Sequence, residues 1–247
     1  MKPFLTVFIP AYNEEASLQH CVEAVTMELD KMGVSKEILV VDDASKDSTG
    51  QIAEDLAARM PGMRVFHHPK NLGVGGAFVT AVGIAQGEWM IMIPADLALE
   101  PRELRRYIQA APQADVLVGL RSDRSDYTLA RRIISWTNIR LNQVLFGMHE
   151  RQFQYISMYR VDVLRHIKIE YWRSAFFLAE ILIKAKALGY RLAEVEILYA
   201  PRLTGRATGA KLILVARTVF DIFHFWLRWV RMGKAVAQPE PCTEPKH

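Results

Sequence analysis

Between residues 4 and 120 the chain repeats one unit: a short run of apolar, often β-branched residues, a polar loop, then a stretch with helical periodicity. The apolar runs fall at 4–9, 37–41, 64–67, 89–93 and 116–120, and helical stretches begin near Asn13, after Thr49, within 71–76 and at Pro101. Such alternation leaves few folds open. Strands joined by helical crossovers pair in parallel, and a parallel sheet must be covered on both faces. The crossovers are expected to be right-handed. At 247 residues and 51% hydrophobic content, there is enough apolar surface for one substantial core. The expectation is therefore an α/β fold with a mostly parallel central sheet flanked by helices.

The first helix shows the pattern in detail. Asn13 is a good N-cap type and Glu14 and Glu15 follow it, where a helix dipole favours anions. Leu18, Val22, Val25, Leu29 and Met32 then recur on one face, and Gly33 marks the end. Beyond residue 120 the pattern predicts helices at 128–146, 161–167 and 176–188, strands at 155–159 and 191–199, and one long helix at 211–232. The tail 233–247, with its prolines and few apolar residues, reads as disordered.

Some function classes are weakened by composition. A net charge of +4 and a pI near 9.1 are too weak to argue for nucleic acid. Cys21 and Cys242 show no CxxC spacing, which fits neither a metal knot nor a disulfide framework and suits a reducing compartment. The first residues lack the long apolar segment of a signal peptide, and no uncharged run reaches the roughly 18 residues of a membrane span.

Ligands of open α/β sheets collect outside the carboxyl ends of the strands. Four polar loops should meet there: 10–14 (PAYNE), 41–49 (VDDASKDST), 71–76 (NLGVGG) and 94–96 (PAD). Asp96, just past a buried strand, suits a metal-bridged phosphate or, more simply, a cap for the helix opening near Pro101. The glycines 73, 75 and 76 do not have dinucleotide-fingerprint spacing and follow the third strand rather than the first. They read as a tight turn with close helix packing. His67 and His68 lack metal-ligand spacing and read as structural.

Taken in order, these four loops resemble the successive motifs of family 2 glycosyltransferases, and are most similar to the dolichol-phosphate mannose synthase-like subgroup that glycosylates polyprenyl phosphates. The resemblance covers about residues 4–210 and implies a GT-A fold with a nucleotide-diphosphate sugar as donor. It places Pro10, Ala11, Tyr12, Glu14 and Asp43 around base and ribose, with Gly73, Asp96 and Arg202 also on the donor. It implies Mg²⁺ or Mn²⁺ at Asp96. Gly119-Leu120-Arg121 resembles the family's GSR element, making Arg121 catalytic and phosphate-facing; Arg131, Arg132 and Arg206 would meet the acceptor phosphate. The guanidinium fork suits phosphate. Glu180 matches a family glutamate without an assigned role.

The chain departs from that family at the strand end. The usual DxD is here Pro94-Ala95-Asp96, and a polar residue often found two places later is Ala98. The metal site is thus depleted. Arg151 stands where relatives often carry Asp, which fits a phosphate acceptor needing no base, or loss of activity; Gln152 and Gln154 read equally as sugar-hydroxyl donors or solvated loop residues. The leading expectation is an inverting, metal-assisted transfer to a polyprenyl phosphate at the cytoplasmic membrane face. Two readings stand beside it: transfer to a saccharide hydroxyl, for which Glu150 is the only carboxylate within 146–155, and a non-catalytic nucleotide-sugar-binding or scaffold protein.

The segment 211–232 carries Arg217, Asp221, His224, Arg228 and Arg231 at spacings of 4, 3, 4 and 3, a narrow charged stripe on an otherwise apolar helix. The stripe argues against crossing a bilayer and for lying in its surface. A core helix and a helix that self-associates in a homo-oligomer are the alternatives. The expected organisation is a glycosyltransferase domain at 1–210, a membrane-interface helix at 211–232 and a tail at 233–247.

Overall fold

The computed structural model describes residues 2–122, 128–153, 155–198 and 212–232, with the backbone alone at 130, 212 and 213. The strands are β1 (Leu5–Ala11), β2 (Lys36–Asp42), β3 (Met63–His67), β4 (Trp89–Met92), β5 (Val116–Arg121), β6 (Ser157–Arg160) and β7 (Leu192–Ile197). The helices are α1 (Leu18–Lys31), α2 (Thr49–Arg59), α3 (Gly73–Ile84), α4 (Leu104–Ala110), α5 (Leu129–Phe146), α6 (Val161–Arg165), α7 (Phe177–Ala187) and α8 (Leu212–Met232). All strands lie in one sheet of order β3-β2-β1-β4-β6-β5-β7. Every pairing is parallel except those of β6, which runs antiparallel to both β4 and β5.

Strand periodicity builds two cores. Leu5, Val7 and Ile9 of β1 face α1, with Leu18, Cys21, Val22, Val25 and Leu29, together with α2 and Leu104 and Tyr107 of α4. Phe8 faces the opposite side, with Ala77, Phe78 and Ala81 of α3, α6, α7 and, from α8, Ile222 and Phe225. One exception to the apolar interior is Thr6, whose hydroxyl donates to the buried Glu37 (2.6 Å) and accepts from the Gly87 amide (2.8 Å).

Helix α1 begins at Leu18, after a turn, so Asn13 is not its N-cap. Asn13 instead takes a left-handed conformation (φ 56°) and serves the neighbouring loop. That choice is tertiary: its side-chain oxygen accepts from the Lys46 amide at 2.8 Å, a partner a local capping rule cannot see.

Helix α8 has three faces. Thr218, Ile222 and Phe225 form a buried seam. Beside it, His224 shares a 2.8 Å hydrogen bond with the Tyr171 hydroxyl, and Arg228 donates to Glu170 at 3.1 Å. Away from the core, Phe220, Phe223, Leu227 and Val230 are exposed. Helix α5 contacts α8 and likewise turns Leu129, Ile133, Trp136 and Val144 outward. Among the described residues, no helix is long and apolar enough to cross a membrane.

Candidate active site

Strand order reverses between β1 and β4, with β2 and β3 on one side and β6, β5 and β7 on the other. That reversal opens a crevice beyond the carboxyl ends of β1 and β4. Tyr12 and Glu14 follow β1, Asp43 follows β2, Asp96 follows β4, and Arg121 ends β5. The parallel directions of these strands put all five at one edge of the sheet. Non-glycine left-handed residues sit in three of the same loops: Asn13 (φ 56°), Ala44 (φ 62°) and Leu97 (φ 51°). Such strain persists where surrounding structure over-determines it, and it gathers at functional sites.

The first two loops are stitched together. The Asn13 amide donates to the Ser45 hydroxyl (3.0 Å), the Glu14 amide to the Thr49 hydroxyl (2.8 Å), and the Ser48 amide to the Glu15 carboxylate (3.0 Å). Tyr12 is left half-exposed at the rim of this platform. Glu14 accepts from the Ser17 hydroxyl at 2.6 Å.

Asp42 and Asp43 divide their work. The Asp42 carboxylate accepts from the Ser45 amide (3.0 Å) and pairs with His67 (2.9 Å), whose other ring nitrogen meets Glu54 (2.9 Å). Burial pushes Asp42 up, but the bonds from Ser45 and His67 outweigh it and hold the carboxyl below its ordinary value. Hydrogen bonds to Asp42 and Glu54 raise His67. Asp43 is buried and accepts from the amides of Leu72 (2.8 Å) and Gly73 (2.7 Å) and pairs with His68 (2.6 Å). Its carboxylate therefore pins the glycine loop to β2, and Gly73 needs its φ of +77° to present that amide.

At the β4 end, the Ala98 amide donates to Asp96 at 3.2 Å and the Leu97 amide to the Pro94 carbonyl at 3.0 Å. The Cys21 thiol lies buried beneath, 3.7 Å from the Pro94 carbonyl. Burial, with the charges of Asp96 and Glu14 nearby, pushes that thiol up to about 12, so it stays neutral.

Arg121 is buried, and its backbone is held by both ends of the Gln152 carboxamide, at 3.1 and 3.3 Å. Gln152 is thus a clamp on β5, neither a sugar-hydroxyl donor nor a solvated loop residue. Gly119 is obligatory here, because a Cβ would stand 2.1 Å from both the Ile156 carbonyl and the Tyr107 hydroxyl. Arg151 leaves the crevice for the sheet edge, donating to Glu194 at 2.6 and 2.8 Å. Glu150 accepts from the His149 amide (3.0 Å) and lies 3.5 Å from Lys186. Arg131 and Arg132 stand in the first turn of α5, the helix that follows β5 in sequence. Arg202 and Arg206, with Gln154, lie outside the described residues.

Glu180 belongs to a buried network rather than the crevice. It accepts from the amides of Glu170 and Tyr171 and pairs with Lys184 at 2.7 Å. Burial pushes Glu180 up against these stabilising bonds. Sequence reasoning missed Lys184, although a lone Glu–Lys pair four residues apart in an apolar helix was a readable signal.

Carboxylates and a buried arginine thus gather at the parallel strand ends of one α/β sheet, and its likeness to known proteins makes this the GT-A glycosyltransferase fold. Residues 6–168 match the family described as Glycosyl transferase family 2. The chain belongs to that family. It is 28% identical over 212 residues to the undecaprenyl-phosphate mannosyltransferase of Micrococcus luteus, covering 81% of this chain and 84% of that protein. It is 31% identical over 215 residues to the undecaprenyl-phosphate 4-deoxy-4-formamido-L-arabinose transferase of Edwardsiella ictaluri, covering 83% of this chain but 62% of that longer protein. Among solved structures, the fold is similar to glucosyl-3-phosphoglycerate synthase of Mycobacterium tuberculosis, with TM-score 0.70, 16% identity, and 91% of this chain and 78% of that one covered.

Proposed function

We propose that this glycosyltransferase moves a sugar from a nucleotide-diphosphate donor to a polyprenyl phosphate, working as a peripheral protein at the cytoplasmic face of a membrane. The observation that carries the reading is the placement of Asp96 and buried Arg121 at one sheet edge, in a protein whose α5 and α8 turn apolar residues outward. The two similar relatives named above act on undecaprenyl phosphate by their names, which supports the acceptor class.

The donor would lie over the stitched loops, with Pro10, Ala11, Tyr12 and Glu14 beside base and ribose and the Asp43-pinned loop at Gly73 behind it. Tyr12 offers an aromatic face. The acceptor phosphate is already ionised and needs no base. One of its oxygens forms a bond to the anomeric carbon as the bond to the diphosphate breaks, and the electron pair leaves with the nucleoside diphosphate; in-line attack inverts the centre. Arg121 would stabilise the charge on the leaving diphosphate. Arg131 and Arg132 would meet the acceptor phosphate together with Arg206, and Arg202 would meet the donor.

Asp96 fits a divalent ion of a particular kind. Such ions are commonly held by one or two carboxylates plus substrate phosphates and water. Pro94 supplies no carboxylate, and among the described residues no group of three metal-ligating side chains stands ready by itself. The ion, Mg²⁺ or Mn²⁺, would arrive largely with the diphosphate and supply charge neutralisation there. The solved Mycobacterium structure contains Mn²⁺ and UDP, which supports this.

Transfer to a saccharide hydroxyl is disfavoured because Glu150, the candidate base, is occupied by His149 and Lys186. Pro94 keeps a non-catalytic nucleotide-sugar binder as the second reading. The test is an assay with labelled nucleotide sugars, Mg²⁺ or Mn²⁺, and a short polyprenyl phosphate in vesicles, run beside free saccharide acceptors. Product on the lipid supports the proposal. Product only on saccharides, or donor binding without turnover, overturns it in favour of one alternative or the other.

A further inference from the structure

We propose that Trp172 is a positioning residue for the glycine loop and that the segment 170–173 transmits to it the seating of α8. The inference rests on the reading of residues 71–76 as donor-facing. A Cβ added at Gly75 would fall 1.8 Å from the Trp172 carbonyl oxygen, so the backbone at 172 is pressed against the first turn of α3. A Cβ at Gly76 would lie 3.5 Å from the indole ring. The Arg173 guanidinium sits over that ring, 4.6 Å from its centroid. The same turn of α3 presents the Leu72 and Gly73 amides to Asp43.

The residues just before Trp172 contact α8. Glu170 accepts from Arg228 at 3.1 Å and from the fully buried Lys184 at 2.9 Å. Burial pushes Glu170 up, but Lys184 and Arg228 prevail and hold it below its ordinary value. Tyr171 shares its hydroxyl with His224 at 2.8 Å and packs edge-on against Phe225 at 5.6 Å. Three consecutive residues therefore touch α8 at one end and the donor loop at the other. Glycine backbone has no side chain to hold its shape, so the turn containing Gly73, Gly75 and Gly76 takes the form its neighbours impose. Trp172 is that neighbour on one side and Asp43 on the other.

The test is hydrogen exchange on the full chain, read by mass spectrometry, with donor kinetics using UDP-glucose and GDP-mannose side by side. The double variant Tyr171→Phe, Arg228→Gln removes the hydrogen bonds to His224 and Glu170 that join this segment to α8, without touching the loop. The expected result is several-fold faster exchange across 72–78, unchanged exchange in α1 and α2, and a raised KM for the donor with kcat largely kept. Unchanged exchange at 72–78 together with an unchanged KM overturns the proposal. Should the double variant unfold, Tyr171→Phe alone, which deletes one oxygen atom, reads the same peptides. In a second arm, phosphatidylglycerol vesicles are added to the wild type. Protection that extends from α8 to 72–78 supports the link, whereas protection confined to α8 overturns it. Absence of protection anywhere marks failure of the membrane reading, and the variant arm then still decides the link.

Discussion

His68 and Asp43 share a 2.6 Å hydrogen bond in a buried site, and the other imidazole nitrogen meets the Thr80 hydroxyl at 2.8 Å. The histidine thus ties the acid behind the glycine loop to the side of α3. Asp43→Ala leaves the Leu72 and Gly73 amides and the His68 ring without their acceptor. An unsatisfied buried donor costs about 1–3 kcal/mol, so a total loss of about 2–5 kcal/mol is expected in urea unfolding, with a raised donor KM. A loss under about 1 kcal/mol would mean that water replaces the carboxylate at little cost.

Asp96→Asn separates charge from shape. The amide oxygen can still accept from the Ala98 amide beside left-handed Leu97, so stability is expected to stay within about 0.5 kcal/mol of wild type. Transfer should nonetheless fall by orders of magnitude. Asp96→Ala loses the acceptor as well and should cost about 1 kcal/mol more in stability. Pro94→Asp should tighten Mn²⁺ binding in the presence of nucleoside diphosphate, measured by calorimetry. Full transfer in Asp96→Asn would remove the carboxylate from the chemistry.

The Asp42–His67 pair makes a prediction about pH. His67 is raised above its ordinary 6.5, so its contribution is full below 6.5 and is lost as pH climbs through the raised value. Asp42 is lowered below 3.8, so its contribution is full above 3.8 and is lost as pH falls through the lowered value. His67 is 43% exposed on its side chain, which limits the pair to about 1 kcal/mol or less. His67→Asn should therefore flatten the fall in melting temperature as pH rises above 6.5, relative to wild type. Parallel curves for the two proteins would show that the pair contributes nothing.

Membrane contact is best tested on outward faces rather than by truncation. Removing α8 would also strip Ile222 and Phe225 from the core, where losing one buried Phe costs about 3–5 kcal/mol. Phe223→Ser with Leu227→Ser leaves that seam intact. Partitioning onto anionic vesicles should weaken by about 1–3 kcal/mol, or roughly fivefold to 150-fold, and Ile133→Ser with Trp136→Ser should act likewise on α5. Unaltered sedimentation of both variants would leave these faces without a lipid role.

Much of the fold was legible because its strands are runs of Val, Ile and Leu punctuated by polar loops. The edge that gathers Tyr12, Asp43, Asp96 and Arg121 followed from the alternation and the resemblance. What escaped depended on partners distant in sequence. Asn13 looks like a cap because its neighbours do, yet its partners are Ser45 and Lys46. Gln152 gives no local sign that its carboxamide will close on the Arg121 backbone. The short strand near 155–159 was readable, but its place between β4 and β5 was not, since periodicity reports which side of a strand is apolar and not which strands it pairs with.

That place has a geometric consequence. Among the described residues, β5 is joined to the rest of the sheet through β6 on one side, and on the other it meets β7. Adjacent strands are spaced by about 4.8 Å, so the antiparallel insertion holds β4 and β5 about 10 Å apart. β6 begins at the edge where its two neighbours end, with Ser157 opposite Val118. It works as a gauge block. Asp96 and Arg121 are kept at a span that one parallel neighbour could not give, and the gap between the two strand ends is set by four residues that carry none of the chemistry.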